Sequence, residues 1–432
     1  MDDPKVLERM RSDWNERAGE DAYYYVAFGR REQDDEEFFA TASGVVQGLE
    51  LDLKRLRGRD AALEIGCGPG RLMRPLSRHF REIHGVDVSD EMIRLARERL
   101  KDTPNAHAHH GSGSDLSLFP GEKFDFVYSY AVFQHIPSKD VVFQYLREAR
   151  RVLKTGGILR CQLNGLPPHA RQYDTWSGVR ITPQEVVDFA REQDFQLLAL
   201  EQIHTQYMWI TCRKRPAGGA KGAAGASIRN ISNALTGEAV APASGPLAAL
   251  SIWIDRLPDE CAIDNMTILA DGAPCRIIYI GPPEADGVSQ VNVALPEGVR
   301  TGLVPLEVRW RGAPVCEPAW ARVMPAGPAV PRITNVTDGV NLLLDHRTNT
   351  GSIKVTMVEV ARPEDFHAQV DGLDVLETDA FCADPLVGRH EFNFRLPATI
   401  GRGAHQLQVT HGKRAFAPVH IEVMQAVPST HP

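Results

Sequence analysis

No CxxC pair and no regular cysteine spacing occurs in this chain: its seven cysteines stand singly at 67, 161, 212, 261, 275, 316 and 382. An odd, dispersed set excludes a disulfide framework and a zinc ribbon, and reads as free thiols of a reducing cytoplasm. A run of about 18 apolar residues is also missing, so no membrane span is expected. The first residues, Met1-Asp2-Asp3-Pro4-Lys5, carry charge and no apolar stretch, so no secretory signal is expected here. Basic stripes are lacking too. The 56 Asp and Glu outnumber the 48 Lys and Arg, for a net charge of -8, so nucleic acid is not an expected partner. What is present is a globular composition, 43% hydrophobic and 24% charged. A chain of 432 residues is too long for one core, and two or three domains are expected.

Composition shifts after Arg215. Residues 216–227 are almost all Gly and Ala, with little that can pack, and read as a flexible linker. Before them helical and strand patterns alternate, as a parallel α/β sheet requires. After them, short β-rich runs are separated by Pro, Gly, Asp and Asn. This half repeats. With an offset of 101, Asn292 meets Asn393, Leu295-Pro296 meets Leu396-Pro397, Gly302 meets Gly403 and Val308 meets Val409. A period of about 100 residues suits immunoglobulin-like sandwiches, not a solenoid. The expected organisation is a helical segment or lid over 1–54, an α/β domain over 55–215, the linker 216–227, and sandwiches over 228–328 and 329–432. A chain ending near Arg215 is expected to fold and to bind its ligand, because the linker severs little packing.

The chemistry-bearing stretch is Ala61-Ala62-Leu63-Glu64-Ile65-Gly66-Cys67-Gly68-Pro69-Gly70-Arg71-Leu72. An apolar strand runs into a glycine turn, and a helix is expected from about Arg71. Glycines at 66, 68 and 70 admit positive φ and a close ligand. Their spacing is GxGxG, neither the GxGxxG of a dinucleotide fold nor a P-loop. That spacing disfavours a nicotinamide oxidoreductase. Glu64 puts a carboxylate at the strand end, which suits a cationic group and repels a pyrophosphate. Ile83-His84-Gly85-Val86-Asp87 reads as a second strand, and an acid at its tip can accept both ribose hydroxyls. Ser89 is a candidate N-cap for the next helix, with acids in its first turn.

These two segments resemble class I S-adenosylmethionine-dependent methyltransferases. Later segments agree in order: Gly113-Ser114-Asp115-Leu116, then Phe124 through Pro137, then Tyr145 through the turn Gly156-Gly157. The resemblance implies a seven-stranded Rossmann-like sheet with helices on both faces and an antiparallel last hairpin. Residues 196–203 and 206–213 are adjacent β-rich runs with no room for a crossover helix, which supports that hairpin independently. Thr182-Pro183-Gln184-Glu185 is a helix start. The implied cofactor is S-adenosyl-L-methionine, held by Glu64, Gly66, Cys67, Gly68, Gly70, Asp87, Val88, Met92, Ser114, Asp115, Leu116, Ser129 and Tyr130. One position departs. Four residues before Leu116, where relatives often place an acid, stands Ser112, and Asp115 is the substitute.

On the acceptor side, His135 follows the fourth strand, where ligands collect in open α/β sheets, and is the candidate general base. The competing reading makes it a turn residue before Pro137. Tyr24 and Tyr25, and Tyr173 and Trp176 in the loop after the fifth strand, are candidates for the substrate pocket. Packing of the tyrosines on the core is the alternative. No metal site is expected, since His109 and His110 point to opposite strand faces. The expected function is methyl transfer to O or N of a small-molecule or glycan-like acceptor. A non-catalytic binding or scaffold protein is the alternative. The two sandwiches resemble Ig-like modules of bacterial proteins, and leave open polymer or protein contact and homo-oligomer formation.

Overall fold

The structure is a computed structural model that describes residues 4–27, 31–168, 173–215, 225–327, 330–340, 345–384 and 388–424. Two compact units divide the chain: Met1–Ala22 with Phe39–Ala326, and Tyr23–Phe38 with Gly327–Pro432. The Gly/Ala segment through residue 224 and part of the Pro-rich joint, Pro328-Ala329, lie outside the described residues. Compactness changes after Ala326, not after Arg215.

The first unit contains a seven-stranded sheet. Its strands are β1 (Ala61–Ile65), β2 (Glu82–Asp87), β3 (Ala106–His110), β4 (Phe124–Ser129), β5 (Leu153–Leu163), β6 (Phe195–Glu201) and β7 (Met208–Lys214). They run in the order β3-β2-β1-β4-β5-β7-β6. The first five are parallel, while β7 is antiparallel to both β5 and β6. This is the Rossmann-like sheet with its terminal hairpin. Alternate side chains serve two cores. Leu63, Ile65, Val127 and Leu159 join one apolar cluster, and Ala62, Phe126, Tyr128 and Ile158 join the other.

The helices are α1 (Pro4–Ala27), α2 (Asp35–Ala40), α3 (Ser43–Lys54), α4 (Met73–Leu76), α5 (Asp90–Arg99), α6 (Lys139–Val152) and α7 (Pro183–Glu192). Helix α1 breaks at Asp21, whose φ of -165° and ψ of 87° are extended. Ser89 caps α5 by accepting from the Met92 amide, and Thr182 and Glu185 form a capping box on α7 with Pro183 in its first turn. The helix expected from Arg71 is a single turn from Met73, followed by a 3-10 turn, Ser77–His79. Pro75 has no amide hydrogen to give a longer helix from Arg71. The Gly156-Gly157 pair does not form a turn before β5. It lies inside the strand, with Gly156 at φ 82° and a register shift opposite, between Phe124 and Phe126.

Residues beyond the Gly/Ala segment form two β-sandwiches of equal strand order. In the first, one sheet runs Ser227–Asn233, Ala249–Asp255, Val288–Ala294, Ala273–Ile280, and the other Ala241–Pro242, Ala319–Met324, Gly302–Trp310, Met266–Ala270. In the second, the sheets run Arg332–Asp338, Ser352–Val358, Arg389–Arg395, Leu376–Asp384 and Arg347–Thr348, Val419–Val423, Gly403–His411, Phe366–Val370. Each encloses its own apolar cluster, around Ile252, Val291 and Leu306 in one and Val355, Phe392 and Leu407 in the other. Gly302 and Gly403, paired by the repeat, open equivalent strands at φ 107° and 133°.

The first sandwich shares the first unit with the α/β sheet. Tyr279 bridges Ala199 on β6, and the Ile263 amide donates to the Leu197 carbonyl at 2.8 Å. Gln196 Nε2 donates to the Asp259 and Cys261 carbonyls at 2.5 and 2.9 Å. Arg55 Nη2 donates to the Ile280 carbonyl at 2.6 Å, and its Nε lies 3.3 Å from Asp52, with the Arg55 side chain 1% exposed. Arg215 pairs with Asp264 at 3.2 Å. A guanidinium so desolvated needs these partners, because an unpaired buried charge is strongly destabilising.

Candidate active site

The glycine turn leaves β1 at its carboxyl end, where the strand order reverses between β2 and β4. Gly66, Gly68 and Gly70 take φ of 72°, 48° and 86°. At two of them space is as demanding as the dihedral. A Cβ on Gly66 would lie 2.4 Å from Val132, and one on Gly70 would lie 2.8 Å from Leu100. Between them Cys67 is buried, and that burial pushes its thiol pKa well up, so it packs without reacting.

Asp87 at the tip of β2 accepts from the Gly68 amide through Oδ2 and from the Ser89 amide through Oδ1, both at 2.9 Å. Burial raises its pKa against the pull of these donors. The carboxylate thus ties the glycine turn to the start of α5, and each oxygen keeps a lone pair for a further donor. Glu64 is 3% exposed and accepts from the Tyr128 hydroxyl at 2.9 Å. Burial lifts its pKa to about 8, with the neighbouring Arg71 opposing the rise. Its carboxyl is therefore mostly protonated at neutral pH until a cation approaches.

Ser129 Oγ donates to the Ile65 carbonyl at 2.8 Å, and Arg71 lies 5.2 Å over the Tyr130 ring. The loop after β3 is folded by its own side chains. Ser112 Oγ accepts from the Ser114 and Asp115 amides at 3.2 and 3.1 Å, and Asp115 Oδ1 accepts from the Ser117 amide and hydroxyl at 2.9 and 2.6 Å. The Leu116 amide donates to Glu148 at 3.1 Å. A Cβ on Gly113 would lie 2.9 Å from Val88 and 3.6 Å from Leu7, which places this loop, the β2 tip and α1 side by side. Met92 packs buried below them.

Helix α1 up to its break covers this edge. Asn15 Oδ1 accepts from Ser89 Oγ at 2.7 Å and from the Glu91 amide at 3.3 Å. Arg17 donates to Thr175 Oγ1 at 3.1 Å and its carbonyl at 3.2 Å, and sits between the Trp14 and Trp176 rings at 4.7 and 5.4 Å. Thr175 donates onward to Asp13. Nothing in the residue pattern singled out Asn15 or Tyr128, since each acts through a partner distant in sequence.

His135 is 7% exposed, not open to a ligand face. Its Nδ1 donates to the Trp176 carbonyl at 3.0 Å, and Trp14 packs edge-on at 5.5 Å. A carbonyl only accepts, so the proton is on Nδ1, and Nε2 faces the Gln134 amide at 3.4 Å. Burial pushes the pKa down to about 4. The ring is neutral at pH 7 and weakly basic, with both nitrogens engaged within the protein. This is the geometry of a clip between two loops; the general base expected here lacks an open nitrogen. Tyr173 is half-buried against the core and Trp176 is 52% exposed, both in the first unit. Tyr24 and Tyr25 belong to the second unit, where their rings lie 5.3 Å apart with Arg31 4.4 Å over Tyr24. The four expected pocket aromatics are thus divided between the two units.

Residues 62–157 match a methyltransferase domain family. The chain is 30% identical over 146 residues to a ubiquinone biosynthesis O-methyltransferase of Cereibacter sphaeroides, covering 30% of this chain and 58% of the relative. It is 34% identical over 117 residues to a trans-aconitate 2-methyltransferase of Afipia carboxidovorans, covering 27% and 42%. The chain thus spans about half the length of these curated relatives. Among solved structures, the geranyl diphosphate C-methyltransferase of Streptomyces coelicolor aligns at 13% identity over 48% of this chain and 98% of that one, with a TM-score of 0.35. The cofactor that suits this domain and this cradle is S-adenosyl-L-methionine.

Proposed function

We propose that the protein is an S-adenosylmethionine-dependent methyltransferase acting at O or N of a small-molecule or glycan-like acceptor in the cytoplasm. The carrying observation is the positive-φ glycine turn bonded to Asp87 at the carboxyl ends of β1 and β2, with the buried carboxyl of Glu64 beside it. When bound, the donor supplies an activated sulfonium methyl, so the protein's work is alignment more than bond activation. Asp87 offers its remaining lone pairs to the ribose hydroxyls while its amide donors hold it in place. Glu64 ionises beside a cationic group, and Tyr128 steadies the carboxylate through its hydroxyl. Val88, Met92 and the 112–116 loop flank the adenine side, and α1 shields this edge from water. His135 acts as a positioning residue that fixes the Trp176 loop.

Calorimetric titration of the full chain with S-adenosylmethionine, S-adenosylhomocysteine and NAD tests this reading. Binding of the first two and not of NAD is expected. Binding of NAD alone would overturn the proposal.

A further inference from the structure

We propose that the cavity between α3 and strands β5 and β7 is the acceptor site, and that it takes an aromatic ring bearing oxygen substituents. This inference rests on the methyltransferase reading. The cavity measures about 400 Å3 and its walls include Gly48, Tyr130, Arg160, Gln162, Tyr207 and Trp209.

Its position follows from one short loop. Tyr130 lines the cavity, and Val132, two residues on, is the side chain that a Cβ on Gly66 would strike. Between them Ala131 takes a positive φ of 56°, and its amide donates to Gln162 Oε1 at 2.9 Å. Three consecutive residues therefore face the donor turn on one side and the cavity on the other. That adjacency is what an in-line transfer requires.

The unused polar groups define the ligand. Gln162 is 4% exposed; its oxygen is taken by Ala131, while its Nε2 has no hydrogen-bond partner among the described residues. Arg160 spends Nη1 on Glu201 and Thr211 at 2.6 and 2.9 Å and sets Nε 3.3 Å from Asp52, which leaves Nη2 without a hydrogen bond among the described residues. Both of these enclosed groups are donors, so the ligand has to present acceptors to them, as a carboxylate, carbonyl or hydroxyl oxygen does, while the exposed Gln202 amide lies on the solvent side of the wall. The walls are planar. Arg160 stacks 4.3 Å over Trp209, whose ring lies 5.9 Å from Tyr130. Rings of this kind favour an aromatic guest.

Helix α3 contributes the room. Gly44 and Gly48 both line the cavity, one turn apart, and a Cβ on either would meet no atom within 4 Å. Glycine weakens a helix relative to alanine, and neither local packing nor a positive φ calls for it here. Space for a ligand is the remaining reason. At a ring hydroxyl, the new O–CH3 bond forms as the sulfonium C–S bond breaks, its electron pair stays on sulfur, and the hydroxyl proton passes to water.

The test titrates the full chain with 3,4-dihydroxybenzoate, with and without saturating S-adenosylhomocysteine, beside Gly48→Leu and Trp209→Leu. Leucine is a good helix former, so Gly48→Leu fills the cavity without breaking α3, and thermal unfolding checks that it does. Expected is probe binding by the wild type, weakened about tenfold or more in both variants, with S-adenosylhomocysteine affinity unchanged in Gly48→Leu. Equal probe binding by Gly48→Leu would overturn the site, and no binding by the wild type would overturn the aromatic class. Failure of S-adenosylhomocysteine to bind the wild type breaks the methyltransferase reading instead, while the Gly48→Leu contrast still judges the cavity.

Discussion

In the first sandwich the strand Ala273–Ile280 pairs Tyr279 with Asn292 and also reaches Ala199 on β6. In the second, the strand Leu376–Asp384 pairs Asp379 with Asn393, the repeat partner of Asn292, and pairs with one strand only among the described residues. Strand order and core are the same; the edge differs. A half-buried tyrosine completes a neighbour's sheet in one copy, and an exposed carboxylate stands there in the other. Charge on an edge strand keeps it from pairing. The difference teaches that a duplicated module changes its role through a few edge residues while its core stays.

The largest effect is expected from cutting at the Gly/Ala segment. A chain ending at Arg215 loses the Ile280 carbonyl that Arg55 donates to and the partners of Gln196 Nε2 and the Leu197 carbonyl. It should therefore aggregate or unfold at low temperature, whereas a chain ending at Ala326 retains cooperative unfolding. Equal melting curves for the two would erase the contrast between the sandwiches. This reverses the expectation that the α/β half stands alone.

Single substitutions sharpen the same point. Arg55→Ala takes the donor from the Ile280 carbonyl and one of two guanidinium partners from buried Asp52, which keeps Arg160, for a loss of about 1–3 kcal/mol in denaturant unfolding. Tyr279→Asp should destabilise in the same direction, by removing the ring that packs 5.1 Å under Arg55 and half-burying a carboxylate that Arg55 attracts but Asp52 and Glu201 repel. The reciprocal Asp379→Tyr, at an exposed edge, should stay within about 0.5 kcal/mol. Similar costs for Tyr279→Asp and Asp379→Tyr would show the two edges to be equivalent.

The donor cradle lies in the first unit and serves as an internal control. Asp87→Ala should weaken donor binding about 10- to 150-fold, the worth of charged hydrogen bonds, while lowering the unfolding midpoint less than Arg55→Ala. A midpoint shift as large as that of Arg55→Ala would mean that cradle and docked edge are one structural system.

The smallest effect is in pH. The folded Glu64 pKa of about 8 exceeds its ordinary 4.5. Protonated Glu64 therefore adds stability that is full below pH 4.5 and is lost as pH rises through about 8. S-adenosylmethionine, being cationic, favours the ionised form, so its affinity should fall as pH drops below about 8, by at most about tenfold per unit. Calorimetry in buffers of different ionisation enthalpy should show proton release near pH 7. In Glu64→Gln both the release and the pH slope should vanish.

Much of the cradle was legible because its requirements are local. Gly66 and Gly70 are needed for a dihedral and a clearance, Asp87 for a strand tip, and Thr182-Pro183-Glu185 for a helix start. The β6–β7 hairpin followed from chain length alone. Other features were illegible because they join distant residues. Tyr128 donates to Glu64, Asn15 ties α1 to α5, and the Trp176 carbonyl accepts from His135. The expected helix from Arg71 and the expected Gly156-Gly157 turn failed for a related reason. Glycine and proline limit a backbone locally, but neighbouring strands choose among the conformations that remain.

The sequence by itself determined the alternation of strands and helices, the glycine turn with its two acids, and a β half repeated at an offset of 101. Side-chain periodicity and backbone dihedrals act over a few residues, and an internal duplication is a pattern in the letters. Only the tertiary structure decided that the first sandwich continues the α/β sheet, that His135 is enclosed between loops, and that Gly44 and Gly48 border open space. Desolvation and packing depend on which surfaces meet, and no local pattern encodes the partner.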